Sequence, residues 1–415
     1  MTIETNAQRW LGLYREPAGS YQVDNSGTPG DFDYLPYEVG TLEAPTGREL
    51  LDPNTGGIRA DRHDKKVLGT RMCALNFATM IHSHGLDLDG DVTAPTADNW
   101  ALYRVLETIM GGAVVTTNEG AQTTVQGGST ATAVAVTTGH DTRFQAGGVI
   151  ACQTVSGSSA LELREILSVS SDTVNVKQAF SAVPTTGTAV RGGVTFYLTE
   201  DPDTSLQAII EGREATDGVV LRGLQGGFSL QLPVGGRGQI AFALTGAGWT
   251  RLGSSSATVP VSSNVSFLAL NPLELTVPTI GSTTRVVVPQ AEVSIEPAIT
   301  YAPQRAGNAT ETIARMRRQP TRPVATGSFI APYEDDTWFN ARDNRDDRAV
   351  FAQLGNIAGS AWLISLPTVQ ITEVQGGVES GEGIAGQRVA FEARHDEEIA
   401  GSTEIGYSAI RIHCV

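Results

Sequence analysis

The fold turns on GGFSLQLPVGGRGQIAFALT, residues 226–245. Phe228, Leu230, Leu232 and Val234 alternate with Ser229, Gln231 and Pro233, and beyond a glycine-rich turn Ile240, Phe242 and Leu244 alternate with Gln239, Ala241, Ala243 and Thr245. A period of two on both sides of a turn is the pattern of a half-buried β-hairpin. Pairing Val234 with Ile240 keeps both apolar sets on one face and leaves a loop, Gly235–Gln239, whose glycines can take a positive φ. One face is then core, and the other is small and polar.

A second pair closes the chain. LPTVQITEV, residues 366–374, sets Val369, Ile371 and Val374 against Val389 and Phe391 of GQRVAFEAR, with a loop at 375–386 that carries Glu379 and Glu382. The returning strands share a phrase, Ile240-Ala241-Phe242 beside Val389-Ala390-Phe391. Between the two pairs the order strand, helix, strand, hairpin recurs, in residues 65–250 and again in 290–415. Internal duplication is left open by so short a match.

Composition narrows the class. Hydrophobic residues make up 40% and charged residues 18%, which is globular. With 46 Gly and much Thr, Val and Ser, the balance favours strands, so the chain is expected to be mainly β and to split into more than one domain. The formal charge is −16, and lysine occurs only at Lys65, Lys66 and Lys177. A lysine-rich phosphate-binding surface is excluded; the one basic cluster, Arg315, Arg317, Arg318 and Arg322, reads more simply as a solvated helix end or a subunit contact. Three cysteines without a C-x-x-C spacing support neither a disulfide framework nor a zinc site, and a reducing, cytoplasmic place of assembly fits. No apolar window reaches membrane-spanning length.

Residues 1–60, rich in Pro, Gly, Asp and Tyr, read as an extended N-terminal arm. Its Trp10, Leu11, Leu13, Tyr14, Tyr34 and Tyr37 need a surface to pack on, with a partner subunit as one candidate. Residues 61–117 and 193–250 read as a first β-sandwich. ADNWALYRVLETIMGG places Leu102, Val105, Leu106, Ile109 and Met110 at helical spacing, with Thr96 or Asp98 as N-cap and Gly111 or Gly112 after the last turn. Residues 118–192 carry short β runs at about ten-residue intervals, an inserted small β domain expected to be removable without unfolding the rest. Residues 251–289 read as a linker or loose strands. Residues 290–415 read as a second such module or the completion of the first, with a short helix at NATETIARMRR.

Catalytic patterns are thin. His82-Ser83-His84 after an apolar strand could open a metal-hydrolase site, but no further histidines follow in a strand-end context, so a polar loop is the default reading. Asp87, Asp89, Asp91 and Asp98 match positions 1, 3, 5 and 12 of a calcium loop, yet Val92 stands where the turn requires glycine. Gly235-Gly236-Arg237-Gly238 lies between strands with no helix dipole to hold an anion. No enzyme and no cofactor is expected.

The sequence resembles the tail tube (major tail) proteins of long-tailed bacteriophages. Leu11-Gly12 with Glu16, the 226–245 hairpin, the ATGSF strand and the closing LPTVQITEV and GQRVAFEA pair carry the resemblance. It implies a tail-tube-type β-sandwich with a flanking α-helix and long hairpins that join those of neighbouring subunits into one barrel. It also implies a virion protein, assembled in the host cytoplasm, that forms stacked rings and meets the tape measure protein and the tail terminator and tip proteins, with no membrane partner. DNA would pass an acidic wall without specific binding. The residues then assigned to the lumen are Ser229, Gln231, Thr245, Thr368, Gln370, Thr372 and Glu392; those assigned to contacts between subunits or rings are the arm residues above with Glu379 and Glu382. A duplicated chain implies a pseudo-hexameric trimer and an unduplicated one a hexamer. The alternatives are another virion component, decorating or receptor-binding through the insertion, and weakly the hydrolase built on His82 and His84.

Overall fold

The computed structural model describes residues 10–16, 32–51, 67–82, 101–115, 123–199, 204–211, 218–251, 269–288, 292–298, 301–305, 313–318, 324–332, 336–379, 385–399 and 404–415, apart from 39, 156, 234 and 397. The chain is mainly β, built from large antiparallel sheets.

The first half runs through β1 (Trp10–Glu16), β2 (Asp33–Tyr34), β3 (Thr46–Leu51), β4 (Val67–Met80), α1 (Ala101–Met110) and β5 (Gly111–Val115). After the insertion it resumes with β12 (Val194–Leu198), β13 (Ser205–Glu211), β14 (Val219–Leu232), β15 (Gln239–Gly246) and β16 (Gly248–Arg251). The second half contains β17 (Pro272–Thr276), β18 (Glu292–Ala298), β19 (Tyr301–Arg305), β20 (Ile313–Arg318), β21 (Val324–Pro332) and α2 (Thr337–Asn344). It ends with β22 (Asp347–Ile357), β23 (Ser360–Glu379), β24 (Ala385–Arg394) and β25 (Arg411–Cys414). NATETIARMRR is therefore not a helix: Ile313–Arg318 pairs with β19 as a ribbon, because tertiary pairing overrides a weak helical pattern. The side chains of its arginines lie outside the described residues.

The two halves repeat one topology. In the first, β3 pairs with β4, β4 with β15 and β15 with β14; in the second, β18 pairs with β21, β21 with β24 and β24 with β23. In a second layer, β1–β13–β14–β16 is matched by β17–β22–β23–β25. Each half has its helix between corresponding strands. The shared phrase falls at equivalent places, Phe242 opposite Phe228 and Phe77, Phe391 opposite Ile371 and Gly327. β14 and β23 are long enough to serve both layers. They turn the corner at Gly223, φ 63°, and at the irregular pairing around Pro367, where a missing N–H is tolerated.

One hydrophobic core runs through both halves. Leu11 and Leu13, expected to reach a neighbour, lie fully buried in it, because β1 pairs along its whole length with β13. The stretch 10–16 is thus a core strand and no free arm. α1 buries its apolar stripe against β1, β12, β13 and β14, and Gly111 ends it at φ 90°, a conformation that glycine adopts without strain.

The insertion forms its own sheet, in the order β6 (Thr123–Thr124), β11 (Ala189–Arg191), β8 (Val149–Cys152), β9 (Glu162–Ser170), β10 (Thr173–Val176) and β7 (Ala133–Ala135), around a core of its own. It is also docked on the parent fold, against expectation. Val149, Ala151, Leu161 and Leu163 pack on Phe351, Leu363 and Val415. Beside them lies a buried ionic cluster. Lys177 Nζ stands 2.6 Å from Asp396 and 3.3 Å from Glu165, and Arg411 donates to Glu165 and lies 2.8 Å from Asp396, with all four side chains at most 1% exposed. Two cations balance two anions. Burial would raise the Glu165 carboxyl, but Arg411 and Lys177 outweigh it and hold the group well below the carboxylate range. Burial lowers His413, which bonds to Thr195 Oγ1 at 2.9 Å and Ser365 Oγ at 3.0 Å.

Cutting out 118–192 would uncover Phe351 and Leu363 and leave Asp396 and Arg411 short of partners, so the deletion is expected to abolish cooperative unfolding of the remainder. Lys177→Met, which leaves two buried anions with one cation, is expected to cost about 3–5 kcal/mol in urea denaturation. His413 is depressed from 6.5, so its contribution is complete above that value and is lost as pH falls below it. The wild type should lose stability as pH falls below about 6.5, and His413→Gln should flatten that slope. A slope unchanged in the variant would place the titration elsewhere.

Candidate functional site

The feature most open to function is the polar face of the sheet that β14, β15, β23 and β24 build. Leu230 pairs with Ile240 and Phe228 with Phe242, so the register lies four residues from the expected Val234–Ile240 pairing. An even shift keeps every side chain on its face, which is why the apolar assignment survives it. Phe228, Leu230, Leu232, Ile240, Phe242 and Leu244 are all buried, and Phe242 stacks at 5.0 Å from Phe77. The connection is longer than anticipated, with Gly235 at φ 65°.

The decisive contact is between the halves. Leu230, Gln231 and Leu232 of β14 pair with Ile295, Ser294 and Val293 of β18. This makes one antiparallel run of eight strands, β3, β4, β15, β14, β18, β21, β24 and β23. Across its polar face, residues line up in rows. Gln239, Gln231, Ser294, Ser328, Ala390 and Glu373 form one row. Glu296, Thr326, Glu392, Gln370 and Asp347 form another. Gln231 Nε2 donates to Ser294 Oγ at 2.9 Å and Gln370 Nε2 to Asp347 at 2.8 Å, so amides and hydroxyls satisfy one another along the surface.

Of the residues assigned to a lumen, Gln231 and Thr372 are exposed, and Ser229, Thr245, Gln370 and Glu392 are partly exposed, all on this face. Thr368 is not. It is 1% exposed, because β23 is irregular on both sides of it: Val350 meets Leu366, but Arg348 meets Val369. A second irregularity between Ile371 and Glu373 leaves Thr372 and Glu373 both exposed while Ile371 and Val374 are both buried. Strict alternation fails across such bulges. The face carries both signs: Glu296, Asp347, Glu373 and Glu392 share it with Arg388 and Arg394, and Arg394 lies 3.6 Å from Glu392. Ser294, Thr326 and Ser328 were missed as members, although Val293-Ser294-Ile295-Glu296 shows the same alternation as the hairpins.

Among the contact candidates, Tyr14 packs on Phe32 at 5.6 Å and Tyr37 packs against the core. Trp10 and Tyr34 belong to β1 and β2 and Glu379 ends β23; their side chains, and Glu382 altogether, lie outside the described residues. His82 is buried and bridged to Ala269, whereas His84 and the aspartates at 87–98 lie outside the described residues. Among the described residues no group of three His, Cys, Asp or Glu side chains is placed to hold a metal ion.

The two faces should answer differently to substitution. A Cβ at Gly327 would stand 2.5 Å from the Phe391 ring, so Gly327→Val is expected to destabilise by about 1–3 kcal/mol through overpacking. Ala243→Gln on the polar face should stay within about 0.5 kcal/mol. Equal effects in urea denaturation would mean the faces are assigned wrongly. No family model matches this sequence, and no curated protein matches it.

Proposed function

We propose that this chain is a structural virion protein that assembles into stacked rings, the tail tube of a long-tailed bacteriophage, and that DNA passes along the polar face without specific binding. One observation carries the reading. The two repeats join edge to edge through β14 and β18, and the same join is available again between molecules. Among the described strands β3 pairs with β4 alone, and residues 371–379 of β23 pair only with β24. β23 is the counterpart of β14, and the ribbon ending in β3 is the counterpart of β18. A second copy can therefore extend the sheet as the second repeat extends the first, and a heterologous contact that closes makes a ring. Closure also removes two edges that would otherwise invite aggregation.

Strand spacing favours three copies. With strands about 4.8 Å apart and tilted about 40°, the twenty-four strands of three copies enclose a cylinder about 48 Å across. Side chains of about 5 Å on each side leave a bore of about 38 Å, ample for a duplex about 20 Å wide. Two copies would leave about 22 Å, too tight for a hydrated duplex, and six would give a backbone cylinder about 96 Å across. Three copies, with pseudo-sixfold symmetry, fit.

Mass measurement of dissociated rings should give three copies, with stacked tubes in electron micrographs. A protein monomeric at every concentration would end the proposal. Thr372→Pro falls where β24 pairing skips a residue, so the folded monomer should persist while rings are lost. Arginine at Gln231 and Glu392 together should leave tubes intact and slow DNA passage; unchanged passage would remove the face from the conduit.

A further inference from the structure

A cavity of about 350 Å³ opens on the polar face at the join between the two repeats. Gln231 and Ser294 come from the β14–β18 junction, Ser328 from β21, Arg388 from β24 and Arg237 from the β14–β15 connection. Both guanidiniums are exposed, and among the described residues neither has a carboxylate partner. Arg237 reaches only Met80 Sδ, at 3.7 Å, and the one acid in the lining, Glu38, already accepts from Gln239 Nε2 at 2.5 Å. In a chain of net charge −16, two arginines left without acids beside hydroxyl and amide groups make a site for an anionic group.

We propose that this cavity receives an acidic side chain from a second copy of the chain stacked on the ribbon tips. The inference rests on the tube reading in one respect, that the tips face a neighbouring ring. Placement favours a carboxylate over DNA phosphate. Arg237 lies in the connection at the tip and Arg388 four residues into β24, at the end of the ribbon, while the rows further along the wall hold Ser, Thr, Gln, Glu and Asp, and Arg394 beyond them lies 3.6 Å from Glu392. Charge balance agrees, because acids outnumber bases in the chain, 45 to 29, so any second copy brings an excess of carboxylates. Guanidinium and carboxylate pair bidentately, which sets the rotation of one ring on the next as well as its affinity.

The test is the full-length double variant Arg237→Ala with Arg388→Ala, beside Arg237→Glu with Arg388→Glu. Ring mass is read by native mass spectrometry, stacking by sedimentation and microscopy, and binding of a short DNA duplex by fluorescence anisotropy. Both variants should keep the wild-type unfolding midpoint and ring mass. The alanine pair should need at least about tenfold more protein to stack, and the glutamate pair should not stack at all. About 0.5 M salt should weaken wild-type stacking in the same direction. Stacking equal to wild type in both variants overturns the proposal. So does duplex binding by wild-type rings that the alanine pair abolishes while stacking persists, which would give the cavity to phosphate. A wild type that forms no rings overturns the tube reading itself, and this inference with it.

Discussion

A β-strand has two hydrogen-bonding edges, and the fold is arranged around how the edges of β14 are met. On one side β14 pairs with β15 in the hairpin; on the other it pairs with β18, which belongs to the second repeat. Without the second pairing the four-stranded sheet of each repeat would keep an exposed edge at the join. With it, Leu230 and Leu232 share a core with Ile295 and Val293, and one hydrophobic cluster spans the molecule. The same logic, carried to the outer edges, makes a further copy the natural continuation.

Docking of the insertion follows a different rule. Its face on the parent is partly apolar, through Leu163 and Phe351, and partly ionic, through Lys177, Glu165, Asp396 and Arg411. An apolar patch would hold it without fixing its angle, whereas a buried cluster of two cations and two anions has few satisfied arrangements. Loss of any one member leaves an uncompensated charge in a site without water. Gln353 adds to this by accepting from Leu163 N–H and donating to the Leu161 carbonyl, so backbone as well as side chains is held in one register.

These differences explain what could be read beforehand. Periodicity identified both hairpins, α1 and the face of each apolar residue, because burial imposes a period of two or 3.6 on the sequence. It misplaced the hairpin register by four residues, since any even shift satisfies the same pattern. Thr368 keeps the face of Gln370 in its pairing with β24 but is buried, and burial at the corner of β23 leaves no mark on composition. The buried cluster was invisible: Lys177 and Arg411 are 234 positions apart and read individually as surface charges. The repeat showed as Ile240-Ala241-Phe242 beside Val389-Ala390-Phe391 and as a recurring order of elements, since its halves share pairing order and not side chains.

The polar face bears on how a conduit for DNA avoids adhesion. An acidic wall would repel phosphate, but the rows here alternate Gln, Ser, Thr and Ala with glutamates that arginines partly offset. Binding to a phosphate backbone gains most of its free energy from releasing condensed counterions, and that gain requires a dense array of cations. A wall whose amides hydrogen-bond within it, as Gln231 with Ser294 and Gln370 with Asp347, offers a passing duplex few ions to release and few free donors. On the proposed reading, the wall stays non-adhesive because its cations are few: Arg394 lies 3.6 Å from Glu392, and Arg237 and Arg388 are taken up at the ribbon tips.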